Sequence, residues 1–419
     1  MSDTFSLKEN FLIGTASAAA QIEGGDALSN WTDWSDKGFI KDGSSIRRAN
    51  DHYNRWKEDA DLMRQMGLQL CRLGLEWARI EPQPGKFDDE AISHYKQEIE
   101  YLISLGIKPL VTLHHFSNPQ WFEEWGAFEK QDNIPLFLRY VDRMVRELGP
   151  LVNEYITINE PNVYAMMGYY TGEFPPGKKS MPKMFHVMSV MAAAHIIAYR
   201  RIHRQREKMG FTDTKVSFAN HVRVFEPKDP KNPLHKSFAR QSEYLFQGAM
   251  SKAFMKGEFK LPLRNLCHLK KGEYIDFIAV NYYTRSTVSS LADGTREDAP
   301  KNDLGWEIYP QGIEEVSKKL YEILPMEIYI TENGTCDNND SFRSRYICDH
   351  LRVISESALP FTRYYHWCFC DNFEWLEGES ARFGIVHIDY ETQKRTIKKS
   401  GEFLTDVIKN NGVTEEKQY

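Results

Sequence analysis

Short apolar runs rich in Val, Ile, Leu and aromatic residues recur along the whole chain, and each is followed by a longer segment of mixed polarity. The runs at 11–17, 71–77, 108–115, 154–159, 215–221, 277–283, 327–331 and 363–370 have the length and composition of buried strands. Between them, segments such as 95–105 and 134–148 repeat their apolar residues at helical spacing. Strands alternating with helices predict parallel pairing through crossover connections. Eight such units predict an α/β fold that closes on itself as a single (β/α)8 TIM barrel, occupying about 11–405 of one domain spanning 1–419. No Ser/Gly/Pro-rich linker divides the series, and the polar stretches 226–233 and 286–305 read as surface loops.

Nearly every predicted strand ends in polar, charged or aromatic residues: Trp77-Ala78-Arg79, His114-His115, Asn159-Glu160, Asn281-Tyr282-Tyr283 and Glu332-Asn333. The C-terminal strand ends of such a barrel form its active face, so these residues are expected to converge on one cavity.

The overall composition narrows the partners. Of 419 residues, 41% are hydrophobic and 27% charged, which suits a globular protein with a large core. The formal net charge of −6 and the lack of a basic stripe argue against nucleic acid or an anionic membrane as partner. Neither a signal-like start nor an apolar run near the ~20 residues of a membrane span is seen, which predicts a cytoplasmic protein. The six cysteines are scattered, with Cys368 and Cys370 two apart on a predicted strand, and read as buried thiols. His114 and His115, adjacent on a strand, would point to opposite faces, and Gly14-Thr15-Ala16-Ser17 is too short for a phosphate loop. No metal and no organic cofactor is expected, and nothing in the chain sets an oligomeric state.

Two carboxylates stand out. Glu160 closes the run Tyr155-Ile156-Thr157-Ile158-Asn159, and Glu332 closes Ile328-Tyr329-Ile330-Thr331. A lone Glu at a strand end more often caps a loop or joins an ion pair. Two at the ends of different strands of one barrel fit glycosidic cleavage, where one carboxyl protonates the leaving oxygen and the other attacks the anomeric carbon.

These residues sit in motifs that resemble glycoside hydrolase family 1, the β-glucosidase and 6-phospho-β-glycosidase family, from Phe11 to about Phe403. The most specific stretches are Thr157-Ile158-Asn159-Glu160-Pro161 and Ile330-Thr331-Glu332-Asn333-Gly334. Gln21-Ile22-Glu23-Gly24, Arg72, Glu76-Trp77-Ala78-Arg79, His115-Phe116, Asn281-Tyr282-Tyr283, Gly305-Trp306-Glu307 and Asp371-Asn372-Phe373-Glu374-Trp375 agree in order and spacing. The resemblance implies a retaining β-glycosidase acting on a small β-glycoside, with Glu332 as nucleophile and Glu160 as general acid/base. It also implies that Arg72 and Tyr283 contact the nucleophile and that Asn159 supports catalysis at the sugar 2-hydroxyl. Gln21, His115, Trp367, Glu374 and Trp375 would then hold the non-reducing-end sugar, while His114 keeps the reading of a satisfied strand-end histidine.

Family members that take 6-phosphorylated sugars carry Ser, Lys and Tyr where this chain has Glu374, Ala381 and Phe383. The resemblance therefore implies an unphosphorylated glycone, with glucose favoured and galactose or fucose as further candidates. Ser117, Asn118, Gly74, Cys368-Phe369-Cys370 and Glu379 depart from the usual pattern without touching the two glutamates. A 6-phospho-β-glycosidase, a transglycosidase and a catalytically silent carbohydrate-binding barrel are the alternatives.

Overall fold

The computed structural model describes residues 4–290 and 293–414. Eight parallel strands form the centre: β1 (Leu12–Ala16), β2 (Leu70–Gly74), β3 (Lys108–Thr112), β4 (Glu154–Asn159), β5 (Lys215–Pro227), β6 (Ile278–Val288), β7 (Ile328–Asn333) and β8 (Phe361–Trp367). Each pairs with its sequence neighbours, and β8 pairs with β1 through registers such as Arg363 opposite Leu12, so the sheet closes into a barrel. The closed eight-stranded barrel is the one expected from the pattern.

A helix follows each strand: α1 (His52–Gln65), α2 (Asp89–Ser104), α3 (Ile134–Leu148), α4 (Met181–Lys208), α5 (Pro233–Glu243), α6 (Gly312–Ile323), α7 (Arg343–Glu356) and α8 (Lys399–Lys409). α5 runs on through a π-helical turn, Tyr244–Gly248, into Ala249–Lys256. Local sequence explains their limits. The Asp88 carboxylate accepts from the backbone N–H of Glu90 and Ala91 and so starts α2, whose buried Ala91, Ile92, Tyr95, Ile99 and Leu102 form one face. α3 carries a Pro in its first turn and buries Phe137, Leu138, Val141, Met144, Val145 and Leu148, each contributing on the order of 2 kcal/mol by leaving water. α4 has the length and apolarity to cross a membrane by composition alone, yet Val187, Met188, Val190 and Met191 are buried in the core.

The two ends of the barrel differ in kind. At the N-terminal end, Arg363 on β8 and Lys108 on β3 both pair with the buried Glu154 of β4, which satisfies that carboxylate inside the fold. At the opposite end the strands release the polar residues that form the site.

Several expected boundaries are corrected. β2 stops at Gly74 and β3 at Thr112, because Glu76 caps a short helix, Trp77–Ile80, and the chain turns sharply at Phe116. β5 and β6 instead continue past the rim as a paired ribbon, with Glu226 opposite Thr287, so parts of both expected loops are strand. Cys368 and Cys370 lie beyond the end of β8, not on it. Five cysteines are buried, but Cys267 is partly exposed, and no disulfide links any of the six among the described residues.

Candidate active site

Arg72 sits on β2, a strand buried along its whole length, and its guanidinium is wholly inside the barrel. Burying a cation is costly unless each donor is used. Here Nη1 donates to Glu332 Oε1 at 2.6 Å and to the Thr331 carbonyl at 3.2 Å, Nη2 to Asn159 Oδ1 at 2.6 Å, and Nε to Thr112 Oγ1 at 3.0 Å. One side chain thereby ties together the ends of β3, β4 and β7. Glu332 receives a second donor, the Tyr283 hydroxyl, at 2.5 Å from Oε2.

Glu160 follows directly on β4. Its Oε1 accepts from Asn281 Nδ2 at 2.8 Å and lies 3.1 Å from His221 Nδ1. The same Asn281 amide is 3.0 Å from Asn159 Oδ1, and Asn281 Oδ1 accepts from Thr331 at 2.7 Å, so an amide bridge links the two carboxylate-bearing strands. The chain at Glu160 turns with φ 43°, and Phe116 and Trp375 in the same site have φ 63° and 46°. Side chains rarely adopt this left-handed region, and holding each there costs on the order of 1–3 kcal/mol. Three of the eleven non-glycine residues with positive φ among the described residues line this one cavity.

Burial and the nearby Glu160 charge push Glu332 up to about 7, against the opposing pull of Arg72 and Tyr283. Glu160 is buried as well, but His221 and Asn281 favour its charged form and hold it below the usual carboxylate range. The two carboxyls interact, so these shifts belong to the pair, and a proton on Glu160 leaves the charge of Glu332 to Arg72 and Tyr283. Glu374 is raised to about 8 by burial and by the Glu332 charge, so it enters the site as a neutral acid able both to donate and to accept.

Gln21 Nε2 donates to the Phe373 carbonyl at 2.8 Å and lies 3.3 Å from Glu374 Oε2, so it stands behind that carboxyl and steadies it. His115 Nε2 accepts from Asn159 Nδ2 at 2.9 Å. Burial and Arg72 hold the His115 imidazole neutral, well below its ordinary range. Gln21 Oε1 and His115 Nδ1 are both buried and have no protein partner, an arrangement that suits ligand hydroxyls. Trp367 at the end of β8 and Trp375 in the following loop flank the His115 ring, with centroids 5.7 and 5.8 Å away. Together with Glu160, Glu332, Glu374 and Tyr283 they line a cavity of about 400 Å³.

The sequence-level match is equally extensive: the model of Glycosyl hydrolase family 1 covers residues 2–413. The chain belongs to this family. Among relatives of this family 1 glycoside hydrolase, the 1,4-β-D-glucan glucohydrolase of Thermotoga neapolitana is 32% identical, covering 97% of this chain and 99% of its own. β-Glucosidase A of Thermotoga maritima is 32% identical over 97% of this chain and 98% of its own. The solved structure of the family 1 β-glucosidase from Thermotoga maritima superposes with a TM-score of 0.90 at 30% identity, covering 99% of this chain and 100% of that one. The complex of a Thermotoga maritima β-glucosidase with glucoimidazole superposes at 0.89, with 30% identity, 97% of this chain and 100% of that one covered.

All ten residues singled out from the sequence of this glycoside hydrolase gather at the cavity. Seven line it, and Arg72, Asn159 and Gln21 are each hydrogen-bonded to a lining residue, Glu332, His115 and Glu374 respectively. His114 does not join them. Its Nε2 lies 2.9 Å from Asn118 Oδ1, and its ring packs against Phe128 and Tyr164. The adjacent histidines also lie beyond the end of β3, so strand alternation is not what separates them. Sequence reasoning missed the outer half of the cavity: Val163, Met166, Met167, Phe174, Leu304 and Trp306 form an apolar wall, with Lys41, Glu173, Arg223 and Glu377 around it. His221 was legible as a polar strand end, and Trp306 stood in a quoted motif; the loop residues had no such signal. Phe383 lines the cavity and Ala381 is buried, and neither side chain carries a hydrogen-bond donor.

Proposed function

We propose that this protein is a retaining β-glucosidase that removes the terminal non-reducing glucosyl residue of small β-glycosides. The observation that carries the reading is the placement of Glu332 between the Arg72 guanidinium and the Tyr283 hydroxyl, with Glu160 in the same cavity. In the proposed mechanism Glu332 attacks the anomeric carbon while Glu160 protonates the departing oxygen, giving a covalent glycosyl-enzyme. Esterification removes the Glu332 charge, so Glu160 becomes more acidic and accepts a proton from the incoming water. Arg72 and Tyr283 aim the nucleophile, and Asn159 meets the 2-hydroxyl. Gln21, His115, Glu374 and Trp375 hold the remaining hydroxyls above the Trp367 ring. The unphosphorylated preference is supported by Glu374, Ala381 and Phe383, since none of the three offers a cation to a phosphate. Acceptance of galactosides is supported by a further relative, the β-galactosidase of Pyrococcus woesei, 27% identical over 97% of this chain and 98% of its own.

The test is hydrolysis of aryl β-D-glucoside, galactoside, fucoside and 6-phosphoglucoside by the wild type and by Glu332→Ala with added azide. Cleavage of the unphosphorylated glucoside and formation of the α-glycosyl azide by the variant are expected. Binding without turnover of any substrate would instead favour a silent carbohydrate-binding barrel.

A further inference from the structure

His221 stands where β5 crosses the barrel rim, and it is the imidazole that touches Glu160. Its Nδ1 lies 3.1 Å from Glu160 Oε1, and on its far side Arg223 Nη2 lies 3.3 Å from Nε2. A guanidinium carries only donors, so Nε2 accepts and the ring hydrogen resides on Nδ1. That hydrogen points at Glu160 Oε1, the same oxygen that takes the Asn281 amide at 2.8 Å. Two donors on Oε1 leave a carboxyl proton its place on Oε2.

The parts are held rigidly. The His221 carbonyl accepts from Asn162 Nδ2 at 2.8 Å, and the Arg223 backbone exchanges hydrogen bonds of 2.9 and 3.1 Å with the Gln247 amide. The His221 ring lies nearly parallel to Tyr283, at 5.9 Å and 20°, and meets the edge of Phe246 at 5.7 Å. The Arg223 guanidinium rests 4.8 Å over the same Phe246 ring.

We propose that Arg223 and His221 are positioning residues for the acid/base: Arg223 sets the tautomer of His221, and His221 fixes the proton of Glu160 on Oε2. This rests on the reading of Glu160 as acid/base. In the glycosylation step Glu332 bonds to the anomeric carbon as the bond from that carbon to the leaving oxygen breaks; the leaving oxygen keeps that electron pair and takes the proton of Glu160 Oε2, the O–H pair stays on Glu160, and no proton leaves His221. The other titratable or charged groups that bear on Glu160 are Arg72 from β2, Tyr283 from β6, Glu332 from β7 and Glu374 after β8.

The experiment compares phenyl and 2,4-dinitrophenyl β-D-glucosides, the second of which leaves without protonation, across pH for the wild type, His221→Phe, His221→Asn, Arg223→Met and Glu160→Ala. His221→Phe and Arg223→Met should lose about tenfold in kcat/KM on the phenyl glucoside and less than about twofold on the dinitrophenyl one. His221→Phe removes a donor to the ionised carboxylate, so its alkaline limb on the phenyl substrate should move up in pH. His221→Asn, whose amide donates from nearly the place of Nδ1, should restore both rate and limb. Equal losses on the two substrates, or an unmoved limb, overturn the proposal. Should Glu160→Ala spare the phenyl glucoside, the acid/base reading fails; should it be selective while the His221 and Arg223 variants are not, the positioning role alone fails.

Discussion

Replacing Arg72 by Met removes the cation beside Glu332 while keeping most of its aliphatic volume. With Nη1 and Oε1 2.6 Å apart, the charge centres are about 4 Å apart, and at an effective dielectric of about 20 their attraction is about 4 kcal/mol. It acts only on the ionised form of Glu332, so its loss raises the proton affinity of that carboxylate about a thousandfold. Burial and the Glu160 charge already push Glu332 up, so its ionisation near neutrality depends on this cation. In the variant the rate-supporting limb moves to alkaline pH by about three units, because the proton must now be removed from a weaker acid. The value of kcat/KM for 2,4-dinitrophenyl β-D-glucoside should fall by more than about a hundredfold at pH 7 and regain about tenfold per pH unit as pH rises toward the displaced limb. The lost contact to Asn159 lowers the plateau without moving the limb. Steady-state rates from pH 5 to 10 measure this, with near-UV circular dichroism to confirm packing. A deficit constant across pH, or smaller than about tenfold at pH 7, refutes the reasoning.

Glu374 holds a proton in the folded protein up to about pH 8 that the unfolded chain releases near its ordinary 4.5. Its contribution to stability therefore declines as pH rises across that window. Glu374→Gln should gain stability over wild type, on the order of 4 kcal/mol by pH 8 and little at pH 4.5, read by urea unfolding at both. Buried His52 sits 2.7 Å from Asp59 and 2.9 Å from Glu98, and those carboxylates outweigh its burial and raise it to about 10. The resulting stabilisation is full below about pH 6.5 and lost as pH passes about 10. His52→Leu should cost about 3–5 kcal/mol at pH 7 in chemical denaturation, because two acids are left buried without it. A Cβ on Gly334 would meet the Trp367 carbonyl oxygen at 1.8 Å, so Gly334→Ala should lower Tm markedly and, where it folds, weaken glucoside binding through displacement of Trp367.

The strand series and the two glutamate motifs were readable because both are local. A buried parallel strand declares itself as an apolar run, and 154–159 and 134–148 came out at their observed limits. Residues at strand ends were readable as a group because closure of a parallel barrel sends those ends to one face. Elements whose limits depend on distant partners were misplaced: the ribbon of β5 and β6 beyond the rim exists because each supplies the other's hydrogen bonds, and neither segment is strongly apolar there.

What the sequence by itself determined is thus the fold class, the family and the chemical identity of the residues at the barrel mouth. What only tertiary structure decided is which oxygen each donor meets. Arg72 and Thr331 are 259 positions apart, Asn281 and Glu160 are 121 apart, and Tyr283 and Glu332 are 49 apart. Protonation of Glu160, Glu332 and Glu374 depends on burial and on separations of a few ångströms between strands. Those distances arise from how eight sheet registers close, and no local pattern in the chain encodes them.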